Sequence, residues 1–197
     1  MPKDSGIGAS SKRREDVRFL TGTGNYTDDI NIYGQLHVHF LRADVAHAKL
    51  NGVDTAAAAA MPGVHRIFTG ADFEAVGGLP CGWLITDRHG APMQEPRHPV
   101  LAQGKIRHVG EPICAVVADT LAQARDAAEA IVLDYDTLPA VIDMKEAVKA
   151  DAPKVHDDLT GNLCYDWGFV EDNRQAVDDA IKGAAHVTTL ELVNNRL

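Results

Sequence analysis

Four absences narrow the function of this chain. No run of about 18 apolar residues occurs in its 197 residues, so no membrane-spanning helix is expected. Cysteine is scarce: Cys81, Cys114 and Cys164 are odd in number and far apart, which suggests neither a disulfide framework nor a cysteine-rich metal site. Serine does not occur beyond Ser11, which excludes a serine nucleophile outside the N-terminal arm. Basic charge is also short, with 19 Lys and Arg against 28 Asp and Glu and a net charge of −9. The densest basic run, Lys12-Arg13-Arg14, is followed at once by Glu15 and Asp16. No basic stripe remains to neutralise phosphates, so nucleic acid is not an expected partner. The opening "MPKDSGIGASSKRRED" has no apolar signal core, and a cytoplasmic location is the expectation.

What remains is an ordinary globular balance, 45% hydrophobic and 24% charged. Residues 1–18 read as a polar arm. "GQLHVHFLR" alternates as a strand does, with Leu36, Val38 and Phe40 on one face and His37, His39 and Leu41 on the other. "VDTAAAAAMPGV" reads as a short helix capped by Asp54 or Thr55 and ended by Pro62-Gly63. "HRIFTG" reads as a strand. Residues 71–104 are irregular, with Pro80, Pro92, Pro96 and Pro99 among five glycines, and a loop of that length is often functional or interface-forming. "ICAVVA" is a buried strand, followed by a helix capped by Asp119 or Thr120 with Ala124, Ala127, Ala128 and Ile131 on one face, and then the strand "IVLDYD". "DMKEAVKA" is a further short helix. Strand–helix–strand order here, and again around the alanine helix, suggests βαβ-like units. A polar boundary falls at 151–162, after which "EDNRQAVDDAIKGAA" reads as an amphipathic helix and "HVTTLELVNN" as a strand. That last strand lacks a turn or polar tail beyond it, which suggests part of something larger.

Candidate chemistry is sparse. His37 and His39 share a strand face, as zinc ligands can, and His47 or Asp44 would have to supply a third ligand; the simpler reading is a polar strand face. Gly22-Thr23-Gly24 lacks the third glycine and the preceding strand that a dinucleotide loop needs, and reads as a structural turn. In "HVGEP", Glu111 is either a general base or, more simply, a buried acid accepting backbone N–H bonds. The acid pairs Asp28/Asp29 and Asp157/Asp158 sit in turn contexts where aspartate bonds its own backbone. No catalytic constellation emerges from spacing.

Three stretches then occur together: the "RREDVRFLTGTGNYTDD" opening, the "VGEP" turn and the "DYDTLPAV" ending. This combination resembles the N-terminal part of the molybdenum-binding large subunit of the xanthine dehydrogenase / aldehyde oxidase / carbon monoxide dehydrogenase family. The resemblance covers nearly the whole chain apart from the loop at 74–97. It implies an α+β fold, with an N-terminal arm at 1–18, an α/β-hammerhead domain at 19–150 and the beginning of a molybdopterin-binding domain at 151–197. It implies a structural share in oxidising aldehydes, purines, N-heterocycles or carbon monoxide with oxygen drawn from water, the chain alone being inactive. Molybdopterin would enter only in the complete enzyme, with Fe–S clusters and FAD on partner subunits or domains, and the partners would be the remaining large-subunit polypeptide, the Fe–S subunit and the FAD subunit. Arg42 and His47 match the family's segment here, but Ala43-Asp44-Val45 replaces its usual serine or proline. The parts of the family that hold cofactor and substrate have no counterpart, so no catalytic, cofactor-binding or metal residue is carried over. The 74–97 loop and the arm are the candidate intersubunit contacts. A stand-alone interaction or small-ligand-binding module on the same fold, without redox activity, is the alternative.

Overall fold

The computed structural model describes residues 6–10, 12–168 and 173–192. Helix α1 (Asp16–Leu20) is followed by strand β1 (His37–Arg42), strand β2 (Ala48–Asp54), helix α2 (Ala56–Ala59) and strand β3 (Val64–Phe68). After the long excursion come strands β4 (Lys105–Ile106) and β5 (Pro112–Ala118), helix α3 (Leu121–Glu129), strand β6 (Val132–Thr137), helix α4 (Met144–Ala147) and helix α5 (Arg174–Lys182).

The strands form two antiparallel three-stranded sheets, ordered β1-β5-β3 and β4-β2-β6. This alters the expected βαβ reading. The strand pairs β2/β3 and β5/β6 do flank helices, but in each case the two strands lie in different sheets. Each helix is therefore a crossover between sheets, and no parallel pair forms around it. The local pattern is the same in both arrangements, so periodicity alone does not separate them.

Helix α3 packs on β1, β5 and β3. Its contact face is Ala124, Ala127 and Ala128, against Cys114, Val116 and Ala118 of β5, all of them buried. Small side chains on both surfaces let the helix lie close to the sheet. The Thr120 hydroxyl caps the helix by accepting the Gln123 N–H at 3.2 Å. The Asp54 carboxylate accepts the Ala56 N–H at 2.9 Å and starts α2.

The alternation in β1 is as expected, but its polarity is reversed. His37, His39 and Leu41 pair with Ala118, Val116 and Cys114, on the face that α3 covers. Val38 and Phe40 point outward and remain 48% and 42% exposed. Across the sheet, Phe40, Ala115 and Phe68 line up on that outer face. The apolar side of the strand thus faces away from this chain's own core, where a further layer would be needed to cover it.

The amphipathic helix beyond residue 171 is present as α5, yet none of its described residues is buried. The strand expected at "HVTTLELVNN" does not form over 186–192, and its last residues lie outside the described ones. A strand needs a partner edge, and none reaches this segment.

Gly70 is fixed by close approach. A Cβ built there would lie 2.3 Å from the Ala102 carbonyl oxygen and 2.8 Å from the Gln103 side chain. The backbone oxygen cannot swing aside. Gly70→Ala is expected to lower unfolding stability by about 1–3 kcal/mol, the usual cost of overpacking, measured by urea titration. An unchanged midpoint would show that this approach is looser than described.

Candidate functional site

The densest group of buried ionisable side chains lies where the segment after residue 150 meets the β4-β2-β6 sheet. Lys105 enters it from β4. Its ammonium donates to Asp157 Oδ1 at 2.8 Å and to the Lys154 carbonyl at 3.4 Å. The lysine side chain is 10% exposed and the aspartate side chain 79% exposed. Glu111 is buried, and its Oε2 accepts the Arg107 N–H at 2.5 Å. Arg107 Nη1 stands 3.5 Å from Glu111 Oε1. Glu111 is thus the structural acid of its turn. Gly110, at φ +84°, allows the tight reversal that puts its carbonyl 2.8 Å from Arg42 Nη1.

Ala43 is stitched to the same turn: its N–H donates to the Glu111 carbonyl at 2.9 Å and its carbonyl accepts from Gly110 at 2.8 Å. Ala43 is buried in the core. The departure from the family's usual serine or proline is therefore a small apolar residue in a place that takes one.

His47 precedes β2 and is buried, with Nδ1 2.7 Å from the Pro139 carbonyl. A carbonyl only accepts, so Nδ1 carries the hydrogen. His47 Nε2 and Arg107 Nε are both buried without a hydrogen-bond partner. His37 and His39 lie on β1, facing α3. Among the described residues, no three His, Cys, Asp or Glu side chains are placed to share a metal ion. The histidine-based metal reading therefore has no geometry behind it.

The remaining candidates are structural as well. The Thr21 and Thr23 hydroxyls donate back to the Val17 and Arg18 carbonyls at 2.8 and 3.0 Å, and the Phe19 ring lies against Gly24. Gly22-Thr23-Gly24 is therefore the exit of α1. Phe19 stacks on Tyr26 with centroids 5.3 Å apart. Asp29 accepts the Tyr26 N–H at 2.8 Å. Burial pushes the Cys114 thiol up to about 11, so it is no nucleophile at neutral pH.

Sequence reasoning missed Lys105, Arg107 and His156 in this group. The only available signal is the Lys-x-Arg alternation at 105–107, and charged alternation ordinarily marks a solvated face. Burial holds the His156 pKa below its ordinary 6.5, with the Arg107 and Lys105 cations adding to the effect. The hydrogen bond from Lys105 holds the Asp157 carboxyl below its ordinary range. The arrangement contains no nucleophile paired with a base. What it does is fasten residues 154–158 to the sheet.

The fold is thus two crossover helices joining two antiparallel three-stranded sheets, with residues 154–158 fastened to one of them. The family model described as "Aldehyde oxidase and xanthine dehydrogenase, a/b hammerhead domain" matches residues 21–139. The chain belongs to the aldehyde oxidase and xanthine dehydrogenase family of oxidoreductases. It is 40% identical over 183 residues to the nicotine 6-hydroxylase large subunit of Paenarthrobacter nicotinovorans, covering 93% of this chain and 21% of that one. The carbon monoxide dehydrogenase large chain of Hydrogenophaga pseudoflava is 36% identical, covering 89% and 22%. Quinoline 2-oxidoreductase from Pseudomonas putida 86 superposes with a TM-score of 0.67 at 39% identity, covering 83% of this chain and 20% of that one. The chain thus spans about one fifth of the length of the relatives it matches. Among the described residues, no helix is long and apolar enough to cross a membrane.

Titrating the fastening tests its role. His156 binds its proton more weakly folded than unfolded, so the unfolded chain takes up the proton first as pH falls through 6.5. Stability should decline from there until the pH passes below the folded-state value, and His156→Gln should flatten that slope. Asp157 contributes stability above about 3.8, lost as pH falls through its lower folded value. At neutral pH, Asp157→Asn should cost no more than about 1 kcal/mol, because the aspartate is mostly exposed and the pair is screened by solvent. Urea titrations at several pH values give both readings. A His156→Gln slope equal to that of the parent would contradict the assignment.

Proposed function

We propose that this chain is the N-terminal structural portion of a molybdenum hydroxylase large subunit and is not catalytic alone. In this reading, 1–18 is an arm, 19–150 the hammerhead domain and 151–197 the beginning of the molybdopterin-binding domain. The remaining large-subunit polypeptide completes the fold, and an Fe–S subunit and an FAD subunit carry electrons away. The assembly is cytoplasmic and oxidises an aldehyde, a purine, an N-heterocycle or carbon monoxide.

The observation that carries this reading is α5. It has nine residues, and Val177 and Ile181 point one turn apart on one side, both about half exposed. A helix this short is marginal in water, so its apolar side needs a surface to pack on. The outer face of β1-β5-β3, with Val38 and Phe40, needs one too. The relatives are about four times as long as this chain and have polypeptide to supply such surfaces.

The cationic groups around Lys105 are largely engaged within the chain, which gives a pterin little to bind there. Holding a pterin phosphate calls for free cationic or backbone donors. Lys105 is spent on Asp157 and the Lys154 carbonyl, and Arg107 Nη1 on Glu111 and the Lys105 carbonyl. The cofactor belongs to the remaining polypeptide.

Co-expression provides the test. The chain alone should purify without stoichiometric molybdenum and without hydroxylase activity. Expressed with the polypeptide that lies outside the matched region of the nicotine 6-hydroxylase large subunit, it should enter a complex that contains molybdenum. A chain that remains a lone species in that mixture contradicts the proposal.

A further inference from the structure

The long excursion and the segment after residue 150 build a second feature together. Thr86 and Pro92 bridge across a hairpin, and the Met93 N–H donates to the Ile85 carbonyl at 2.9 Å. The later segment joins from the other side: the Gln94 N–H donates to the Cys164 carbonyl and the Arg88 N–H to the Asp166 carbonyl, both at 2.9 Å. An Arg88–Asp166 ion pair at 2.8 Å closes the corner. Residues 81, 83 and 85 and residues 165 and 167 face the same space. The outcome is an open cavity of about 410 Å³ lined by Cys81, Trp83, Ile85, Met93, Tyr165 and Trp167.

Trp83 is 81% exposed and Trp167 53% exposed. Small-molecule sites bury most of the ligand between their walls, and walls this open cannot do that. An apolar centre carrying tryptophan, tyrosine and methionine inside a polar rim of Arg88, Asp166 and Glu95 matches the anatomy of a protein interface. Three of the six lining residues come from residues 81–85 of the excursion and two from residues 165–167, the segment that precedes α5 in the sequence. Each relative adds to its matched fifth about four times as much polypeptide of the same chain.

We infer that the Trp83/Trp167 face is the docking surface for the remaining large-subunit polypeptide. This rests on the reading above that such a polypeptide completes the chain. Trp83 and Trp167 are the two tryptophans of the sequence, so they report on this face directly.

The chain labelled with 5-fluorotryptophan gives two ¹⁹F resonances. The probe is the unlabelled remainder of the nicotine 6-hydroxylase large subunit, with complex formation followed independently by size-exclusion chromatography. Both resonances should shift on complex formation and lose their sensitivity to solvent deuteration. Trp83→Ala should weaken the complex at least tenfold, while Tyr33→Ala, at a fully exposed position elsewhere, should leave it unchanged. Circular dichroism of each variant checks that the fold persists. A complex that forms with both resonances unmoved overturns the docking assignment and leaves the large-subunit reading standing. No complex at all overturns both. Saturable shifts with quinoline alone, or shifts that track the chain's own concentration, overturn the assignment in favour of a ligand site or of self-association.

Discussion

Strand β5 is the constraint on which the rest of this chain depends. It is the middle strand of its sheet, and Ile113, Cys114, Ala115, Val116 and Ala118 are all buried. One face meets the alanines of α3 and the other lies between Phe40 and Phe68. The helix can approach only because the side chains opposite it are small. A methylene added at buried Ala118 or Ala127 would overpack this contact, since well-packed interiors have little slack to absorb it. The turn before β5 holds Glu111, and that turn fixes both Ala43 and Arg42. The position of the polar group around Lys105 therefore follows from where β5 begins.

Much of this was legible in the residues. The run "ICAVVA" is continuous and apolar because the strand is covered on both sides, and the alanine spacing of α3 announced its buried face. The reversed face of β1 was not legible. Alternation gives the period of a strand and not which side is inside, and here the histidine side meets α3 while the phenylalanine side awaits another layer. The crossovers are hidden for a similar reason: strand–helix–strand order does not say whether two strands share a sheet. Over 186–192 the expected terminal strand has no partner edge among the described residues. The buried Lys105 was invisible because its burial depends on Asp157, fifty-two residues away. The resemblance in the "RREDVRFLTGTGNYTDD" opening carried more functional information than any spacing did. It concerned membership of a family, on which α1 and its glycine exit are silent.

The candidate site sharpens this picture. Glu111, Asp157 and Asp29 are engaged in local structure, and among the described residues no three His, Cys, Asp or Glu side chains are placed to share a metal ion. The Lys105–Asp157 pair joins two segments that belong to different domains in the proposed division. A half-buried pair of this kind contributes little to stability on its own, and its value lies in fixing where the second segment starts. Beyond that point none of the described residues is buried, those of α5 included. Apolar surface accumulates on the outer face of the β1-β5-β3 sheet, on α5 and around the two tryptophans.

That contrast between a finished core and an unfinished periphery is the central claim, and amide hydrogen exchange on the isolated chain reads it directly. Peptides from β5 and α3 should exchange slowly, through global opening, while peptides from α5 should exchange at close to unfolded rates. Protection of α5 equal to that of β5 in the isolated chain would mean that it is already packed, and would contradict the account.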